Sequence, residues 1–436
     1  MRTAHFANLF ALCLVGCTRY QAQPLETRRI LDDLRAVSLE STAFHASDGL
    51  SEAEAVSLAL VLNPDLRSGR AEKGVAEAQL LAAGLYPDPG LDATWIARAD
   101  GTVLEGGLLQ ALPLAGERGI RRDKARLRIE EVDLDLAASE WKLAQEVRIA
   151  FVDCLAAEES ASVAKANLDL RERVAALAKT RQELGATPPL EADLAALDAA
   201  QQHRALLVAE HQQILSRQRL NALLGLGPAV SYLLQIEGDP WARREIPAGI
   251  GKLEEVAIAR RPDLAAARLA YEQAERDLQL ATQGQYPRLR IGPSYNQEDG
   301  HDGFGVGVGV ELPLWNRNRG EIAEKLARRQ QLAEAFRARI ARVRSEIAAA
   351  RAELDREAGV LQVVEEEVRP RLEHGVALLE ESLKAGKVDP SALMLIQDRL
   401  FGARQDQLGS RASYRKALIR LEETVGVTLD EKGGFR

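Results

Sequence analysis

The chain has 436 residues, with 57 Lys plus Arg against 65 Asp plus Glu and a formal net charge of −8. That balance excludes a nucleic-acid binder working through a globally basic surface. Aromatic residues are only 4% and charged residues 28%, too few rings for an ordinary large enzyme core and a composition suited to long helices.

The first residues read as an address. Arg2 precedes an apolar run from Phe6 to Val15, which ends in Leu14-Val15-Gly16-Cys17. A basic start, an apolar run and a small residue before the cut predict a secretory signal over residues 1–16. The run is too short to span a bilayer. Its last four residues resemble the lipobox of bacterial lipoproteins. The resemblance implies that Cys17 is acylated and becomes the mature N-terminus, and Thr18 in place of Asp implies outer-membrane sorting. Residues 17–49 are then a lipidated N-terminal segment. Cleavage removes Cys13 and acylation uses Cys17, so Cys154 has no intrachain disulfide partner. It reads as a small buried apolar residue.

The chain then says nearly the same thing twice. Asn63-Pro64-Asp65-Leu66 recurs as Arg261-Pro262-Asp263-Leu264, Tyr86-Pro87 as Tyr286-Pro287, and Leu112-Pro113-Leu114 as Leu312-Pro313-Leu314. Gly185 matches Gly386, and the offset drifts only from 198 to 201. The units are 50–226 and 253–427, with a linker at 227–252 and a tail at 428–436. A repeat this long is a duplicated half-protein, not a solenoid unit of about 20–50 residues.

Each unit has the same order. A short helix (about 51–62; about 253–260) stops before a proline placed in the first turn of the next helix, where its missing N–H costs nothing. That helix runs to Gly84 or Gly284. After Tyr-Pro comes a β-hairpin, about 89–112 in the first unit, turning at Asp100-Gly101, and about 288–312 in the second. A polar turn is expected from Gln297 to Gly303. Beyond it Phe304, Val306, Val308, Val310 and Leu312 share one face and Gly or Glu the other, a strict period of two. A rod follows, from about Glu117 to Leu184 and from about Arg319 to Ala385. Its seam is expected to run through Leu134, Ala137, Trp141, Ala144, Phe151 and Leu155 in the first unit, and through Ile340, Val343, Ile347 and Leu354 in the second. Nearly seventy residues make a helix on the order of 100 Å long. Pro370 predicts a kink or break in the second rod. Gly185 and Gly386 close the rods, and return helices follow over about 190–224 and 391–425.

Four strands of about 9–11 residues suit a bilayer crossing, but an open sheet cannot lie in lipid with its edges unpaired. Membrane barrels need about eight strands or more, so four strands per chain imply oligomers.

The ordered set of lipobox, long duplication, Tyr-Pro, hairpin, Leu-Pro-Leu, rod, Gly turn and return helix resembles the outer-membrane efflux protein (TolC-like) family over residues 50–427. Leu312 to Gly320 resembles the Pro-Leu-aromatic-Asn-Arg-Asn-x-Gly junction of its heavy-metal cation efflux branch; the first unit departs there, with Leu114-Ala115-Gly116-Glu117-Arg118. The resemblance implies a mainly α fold with a small transmembrane β part. Long helical hairpins form an α-barrel tunnel, and three chains of four strands close one twelve-stranded barrel. It implies a homotrimer partnered by a periplasmic adaptor (membrane fusion protein) and an inner-membrane RND-type pump, lipid-anchored in the Gram-negative outer membrane. It implies no catalysis, no cofactor and no nucleic acid. The expected adaptor-facing tips are Gly185, Gly386 and Asp389, and the strand-to-helix junctions are Pro113, Pro313, Trp315 and Asn316. Several relatives carry acids just after the second tip glycine; here that stretch is Ser391-Ala392-Leu393-Met394-Leu395, leaving Asp389, Asp398, Glu191 or Asp193 as substitutes.

A search for chemistry leaves little. His203 and His211 are eight apart on a helix and cannot share one metal. His301 beside Glu298, Asp299 and Asp302 reads as a solvated hairpin tip. Gly305-Val306-Gly307-Val308-Gly309 is a strand, not a phosphate loop, since no helix starts after it. The rival readings are a drug or organic-solvent exporter of the same family and a lipid-anchored periplasmic coiled-coil scaffold, which would leave the hairpins idle.

Overall fold

A computed structural model describes residues 20–36, 49–98, 101–236, 238–244, 246, 249–298, 301–384 and 390–429. Cys17, Gly386 and Asp389 lie outside the described residues. The chain divides into a unit ending at Phe44 and a second beginning at His45. In the first, α1 (Thr27–Ala36) buries no residue of its own.

The second unit opens with α2 (Glu52–Leu62). Ser51 caps it in a reciprocal box with Glu54: the Ser51 hydroxyl accepts from the Glu54 amide at 3.3 Å, and the Ser51 amide donates to the Glu54 carboxylate at 2.9 Å. Proline then starts α3 (Pro64–Gly84). Strands β1 (Gly90–Ala97) and β2 (Thr102–Leu112) lead to α4 (Glu117–Glu183), a single helix of 67 residues. Helix α5 (Pro189–Leu224) returns along it. The second repeat supplies α6 (Ile250–Arg260), α7 (Pro262–Gln283), β3 (Arg288–Glu298), β4 (His301–Glu311) and α8 (Arg319–Val363). A π-helical turn over Val364–Val368 joins α8 to α9 (Arg369–Lys384), and α10 (Pro390–Val425) follows.

The four strands form one antiparallel sheet in the order β1-β2-β3-β4, so the two hairpins meet at a β2–β3 seam between the repeats. Helices pack separately. In the second repeat Leu253, Leu264, Ile347, Leu361, Leu418 and Leu421 form one core that ties the short helix, the rod and the return helix together. The linker docks by backbone pairing, with the Leu50 amide on the Leu233 carbonyl at 2.7 Å. It is also pinned by Tyr414, whose hydroxyl donates to the Arg244 carbonyl at 2.8 Å and accepts from the Arg244 amide at 2.9 Å.

Three expectations change. The second hairpin is longer than its apolar pattern: the strands run to Glu298 and resume at His301, so Gln297, Asp302 and Gly303 are strand residues. Cross-strand bonds to polar residues continue the ladder past the last valine; Tyr295 even donates to Asp302 at 2.6 Å. Pro370 does not break the rod. Its ring would press on the carbonyl four residues back, at Glu366, and the helix widens there instead, with the Arg369 amide bonding five back to Val364. In the first rod Ala137 is exposed, and Val132, Leu143, Val147 and Ala150 are buried beside Phe151 and Leu155. Helix α4 is covered by α2, α3, α5, α7 and α10 rather than by one partner, so its burial does not follow a single stripe.

Candidate functional site

The register gives the sheet two chemically different faces. Ala93 lies opposite Gly106, Gly106 opposite Tyr295, and Tyr295 opposite Phe304. Because strand side chains alternate, one face carries Leu91, Ala93 and Trp95; Leu104, Leu108 and Leu112; Leu289, Ile291 and Tyr295; and Phe304, Val306, Val308 and Val310. Most of its large apolar residues stand in the open: Phe304 is 87%, Trp95 73% and Val308 61% exposed. The other face carries Asp92, Thr94, Glu105, Arg290, Ser294, Asn296 and the glycines of β4, with Ile96, Val103 and Leu109 among them. The apolar face read from β4 alone therefore extends through both repeats, with Gly106 and Gln110 of β2 and Gln297 of β3 set within it. Trp95, Tyr295 and Phe304 lie toward its hairpin end, with the Tyr295 and Phe304 ring centres 5.3 Å apart. Tyr86, Tyr286 and Trp315, exposed by 61%, 63% and 93%, lie toward its helical end. Among the described residues no helix is long and apolar enough to cross a membrane.

The tightest point of the sheet is at Gly292. A Cβ on Gly292 would overlap the Leu108 carbonyl oxygen. Beside it Pro293 lacks an N–H, and the β2–β3 pairing is interrupted at Leu108 and Leu109. Glycine lets the two backbones approach.

The junctions use different devices for the same turn. After Pro113, Gly116 is left-handed (φ 85), and Glu117 reaches back to accept from the Leu114 amide at 3.2 Å while pairing with Arg121. After Pro313 the left-handed residues are Arg317 and Asn318 (φ 46 and 55). Asn316 accepts from the Asn318 amide at 3.0 Å, and Asn318 donates to the Ala281 carbonyl at 2.8 Å and to Glu321 at 2.8 Å. Asn316 thus shapes the turn, and Asn318 fastens it to the end of α7. A cavity of about 410 Å³ lies here, lined by Tyr286, Arg288, Pro313, Trp315 and Asn318 among others.

At the other end of α4, Gly185 is left-handed (φ 69) and its amide bonds the Gln182 carbonyl at 2.9 Å, as a helix stop requires. Nothing lies within 4 Å of its missing Cβ. Asp398 is not a free acid: it pairs with Arg171, a buried arginine on α4 that also meets Asp198 at 2.9 Å. Glu191 starts α5, half-buried, and Asp193 is exposed. His203 and His211 are exposed on α5. Cys154 is buried, and burial pushes its thiol up to about 11.

Between the repeats sits a charge network that sequence reading missed. Arg148 on α4 meets Glu52 on α2 at 2.6 Å and the fully buried Glu422 on α10 at 2.5 Å; Arg415 meets Glu52 at 3.3 Å. Burial acts to raise the Glu52 carboxyl, but Arg415 and Arg148 outweigh it and hold it below the usual carboxylate range. Partners in the network lie from 96 to 363 positions apart, so no local motif marks them.

The outer membrane efflux protein family profile matches residues 55–226 and 253–427. The cobalt-zinc-cadmium resistance protein CzcC of Cupriavidus metallidurans is 23% identical over 384 residues, 87% of this chain and 91% of that one. The pyoverdine export outer membrane protein OpmQ of Pseudomonas putida is 26% identical over 419 residues, 92% and 86% of the two chains. Among solved structures, CusC, described with the conformational changes accompanying folding and transmembrane channel formation, superposes with a TM-score of 0.72 at 18% identity, over 94% of this chain and 99% of that one. The chain shares its fold.

Proposed function

The chain belongs to the outer membrane efflux protein family, and on that premise we propose that it is the outer-membrane channel of a tripartite export system for heavy-metal cations. The observation that carries the reading is the exposed, mainly apolar face that extends over β1 to β4. Such a face suits lipid, with its polar, glycine-rich reverse toward a water-filled lumen. Four strands leave two open edges, which lipid does not tolerate. Family membership points to three chains, whose twelve strands close one barrel, so the working form is a homotrimer.

The remaining roles rest on the sequence resemblance. Cys17 carries the lipid. The aromatic residues at Tyr86, Tyr286 and Trp315 sit at the inner membrane–water interface, and the junctions at Pro113, Pro313 and Asn316 turn strands into tunnel. Gly185, Gly386 and Asp389 form the tips that meet a periplasmic adaptor, and through it an inner-membrane pump. Metal cargo is supported by the Trp315-Asn316-Arg317-Asn318 junction and by the likeness to CzcC. The likeness to OpmQ favours a second reading, an organic cargo such as a siderophore.

A deletion strain separates these. Loss of the chain should raise sensitivity to zinc, cobalt or cadmium, and outer-membrane fractions of the parent should hold heat-modifiable oligomers. Unchanged metal tolerance with impaired siderophore secretion would favour the organic cargo. A protein that fractionates without such oligomers would point to a periplasmic scaffold. Lipidation is read separately, from the mass of the mature N-terminus, which Cys17→Ala should change.

A further inference from the structure

The edges of the sheet are β1 and β4, and the repeat contains a template for covering them. Ala93 opposes Gly106 in the first hairpin and Pro293 opposes Val306 in the second. The second pair is the first moved by 200 residues, so both hairpins share one register. Between the repeats, Gly107 of β2 opposes Ser294 of β3, and Gln110 opposes Ile291. The same 200-residue step carries β2 onto β4 and β3 onto β1. We propose that a second copy of this chain covers the edge in the register of the internal seam: Val306 opposite Trp95 of the partner subunit, Val308 opposite the partner's Ala93, and Val310 opposite the partner's Leu91. This rests on the trimeric reading above and adds the residue-level seam.

The register agrees with the two faces, since it sets apolar residues of β4 beside apolar residues of β1. It also gives a workable barrel. A line straight across the sheet passes Ala93, Gly106, Tyr295 and Phe304 and re-enters at the partner's Ala97, four residues beyond its start. Three chains give a shear of about twelve for twelve strands. An equal ratio, eight to eight, goes with a strand tilt of about 36°, inside the range of about 35–45° for outer-membrane barrels.

The polar face supplies a further, independent sign. The Arg290 guanidinium lies over Gly309, with Nε 3.5 Å from where a Cβ would be. In this register the residue opposite Gly309 is the partner's Asp92. Within one chain Asp92 faces Gly107 and, beyond it, Ser294, four residues along β3 from Arg290. Neither Asp92 nor Arg290 has an ion-pair partner among the described residues. An ion pair that skips a strand already exists here: Arg98, after β1, reaches Glu298 of β3 at 3.0 Å. Arg290 reaches the partner's Asp92 in the same way, across a glycine.

Paired cysteines test the register. Directly opposite residues have Cβ atoms about 4.5–5.5 Å apart and diagonal neighbours about 7–8 Å, and disulfides need close Cβ atoms. Ala93→Cys with Val308→Cys, oxidised in isolated membranes, should give covalent trimer at least about tenfold above Ala93→Cys with Val306→Cys or with Val310→Cys, the two slips that keep the faces matched. Reversing one charge, Asp92→Arg or Arg290→Asp, should lower the heat-resistant trimer, and the double reversal should restore it. Heat-resistant trimers that link through a slipped pair, or through none, would overturn the register alone. A parent chain that forms no trimer would overturn the trimeric reading beneath it.

Discussion

Asn63 and Arg261 hold equivalent places in the two repeats and do one job with different chemistry. Each donates to a carbonyl in the last turn of its repeat's return helix, Asn63 to Leu223 at 3.0 Å and Arg261 to Thr424 at 2.8 Å. Asn63 also caps α3, accepting from the amides of Asp65 and Leu66. Arg261 has no capping oxygen and instead grips Asp263 in that helix's first turn. Asn63→Ala should cost about 1–2 kcal/mol, from the cap and the lost bond together. Asn63→Asp keeps the cap but loses the donor to Leu223, so it should still be destabilising. Denaturation followed by helical circular dichroism reads both; an unchanged midpoint for Asn63→Asp would remove the link to α5 from the account.

Gly292 should be intolerant of even one methyl group. The atom in the way is a backbone oxygen, which cannot swing aside as a side chain can. Gly292→Ala should cost about 1–3 kcal/mol, whereas Gly309→Ala, with ordinary contacts to Arg290, should cost much less. Oligomer heat stability compares them.

The two faces of the sheet should respond oppositely to charge. Val308→Arg places a cation on the apolar face, at about 2–4 kcal/mol per chain near the bilayer midplane. Thr94→Arg places it on the polar face. The first should prevent assembly, and the second should assemble with altered single-channel conductance. Equal assembly of both would mean that the sheet does not face lipid.

Acid should loosen the seam between the repeats. Glu52 has a depressed pKa in the fold, so its contribution is present above the unfolded value of about 4.3 and is lost as pH falls through the lower folded value. Glu423 works in the opposite sense: burial first, then Glu146, raises its pKa, so its penalty grows as pH rises toward the folded value. The denaturation midpoint should therefore hold steady from pH 7 to about 5 as far as Glu52 is concerned and fall below about 4. Glu52→Gln should show a smaller acid loss than the parent chain, and an equal loss would place the acid-sensitive group elsewhere.

Much of the architecture was legible because proline and glycine act as local punctuation. Pro64, Pro262, Pro189 and Pro390 start helices, and Gly185 stops one. The apolar face was legible in β4, where glycine alternates with valine. It was faint in β1 and β2, since Ala93, Gly106 and Gln110 carry little contrast, and it emerges only when register aligns all four strands. Arg148 and Arg171 were illegible for another reason. A single arginine on a long charged helix looks solvated until helices from elsewhere in the chain close over it.

The π-helical turn at Val364–Val368 lies just where Pro370 needs a widened helix. A turn bonded five back instead of four leaves room for a ring that an α-helical turn would press against the Glu366 carbonyl. One residue removed from a continuous helix swings everything beyond it by about 100°. Removing Glu366 should therefore place Pro370 in an ordinary α-helical turn and rotate the rest of the rod against its neighbours, two faults from one deletion.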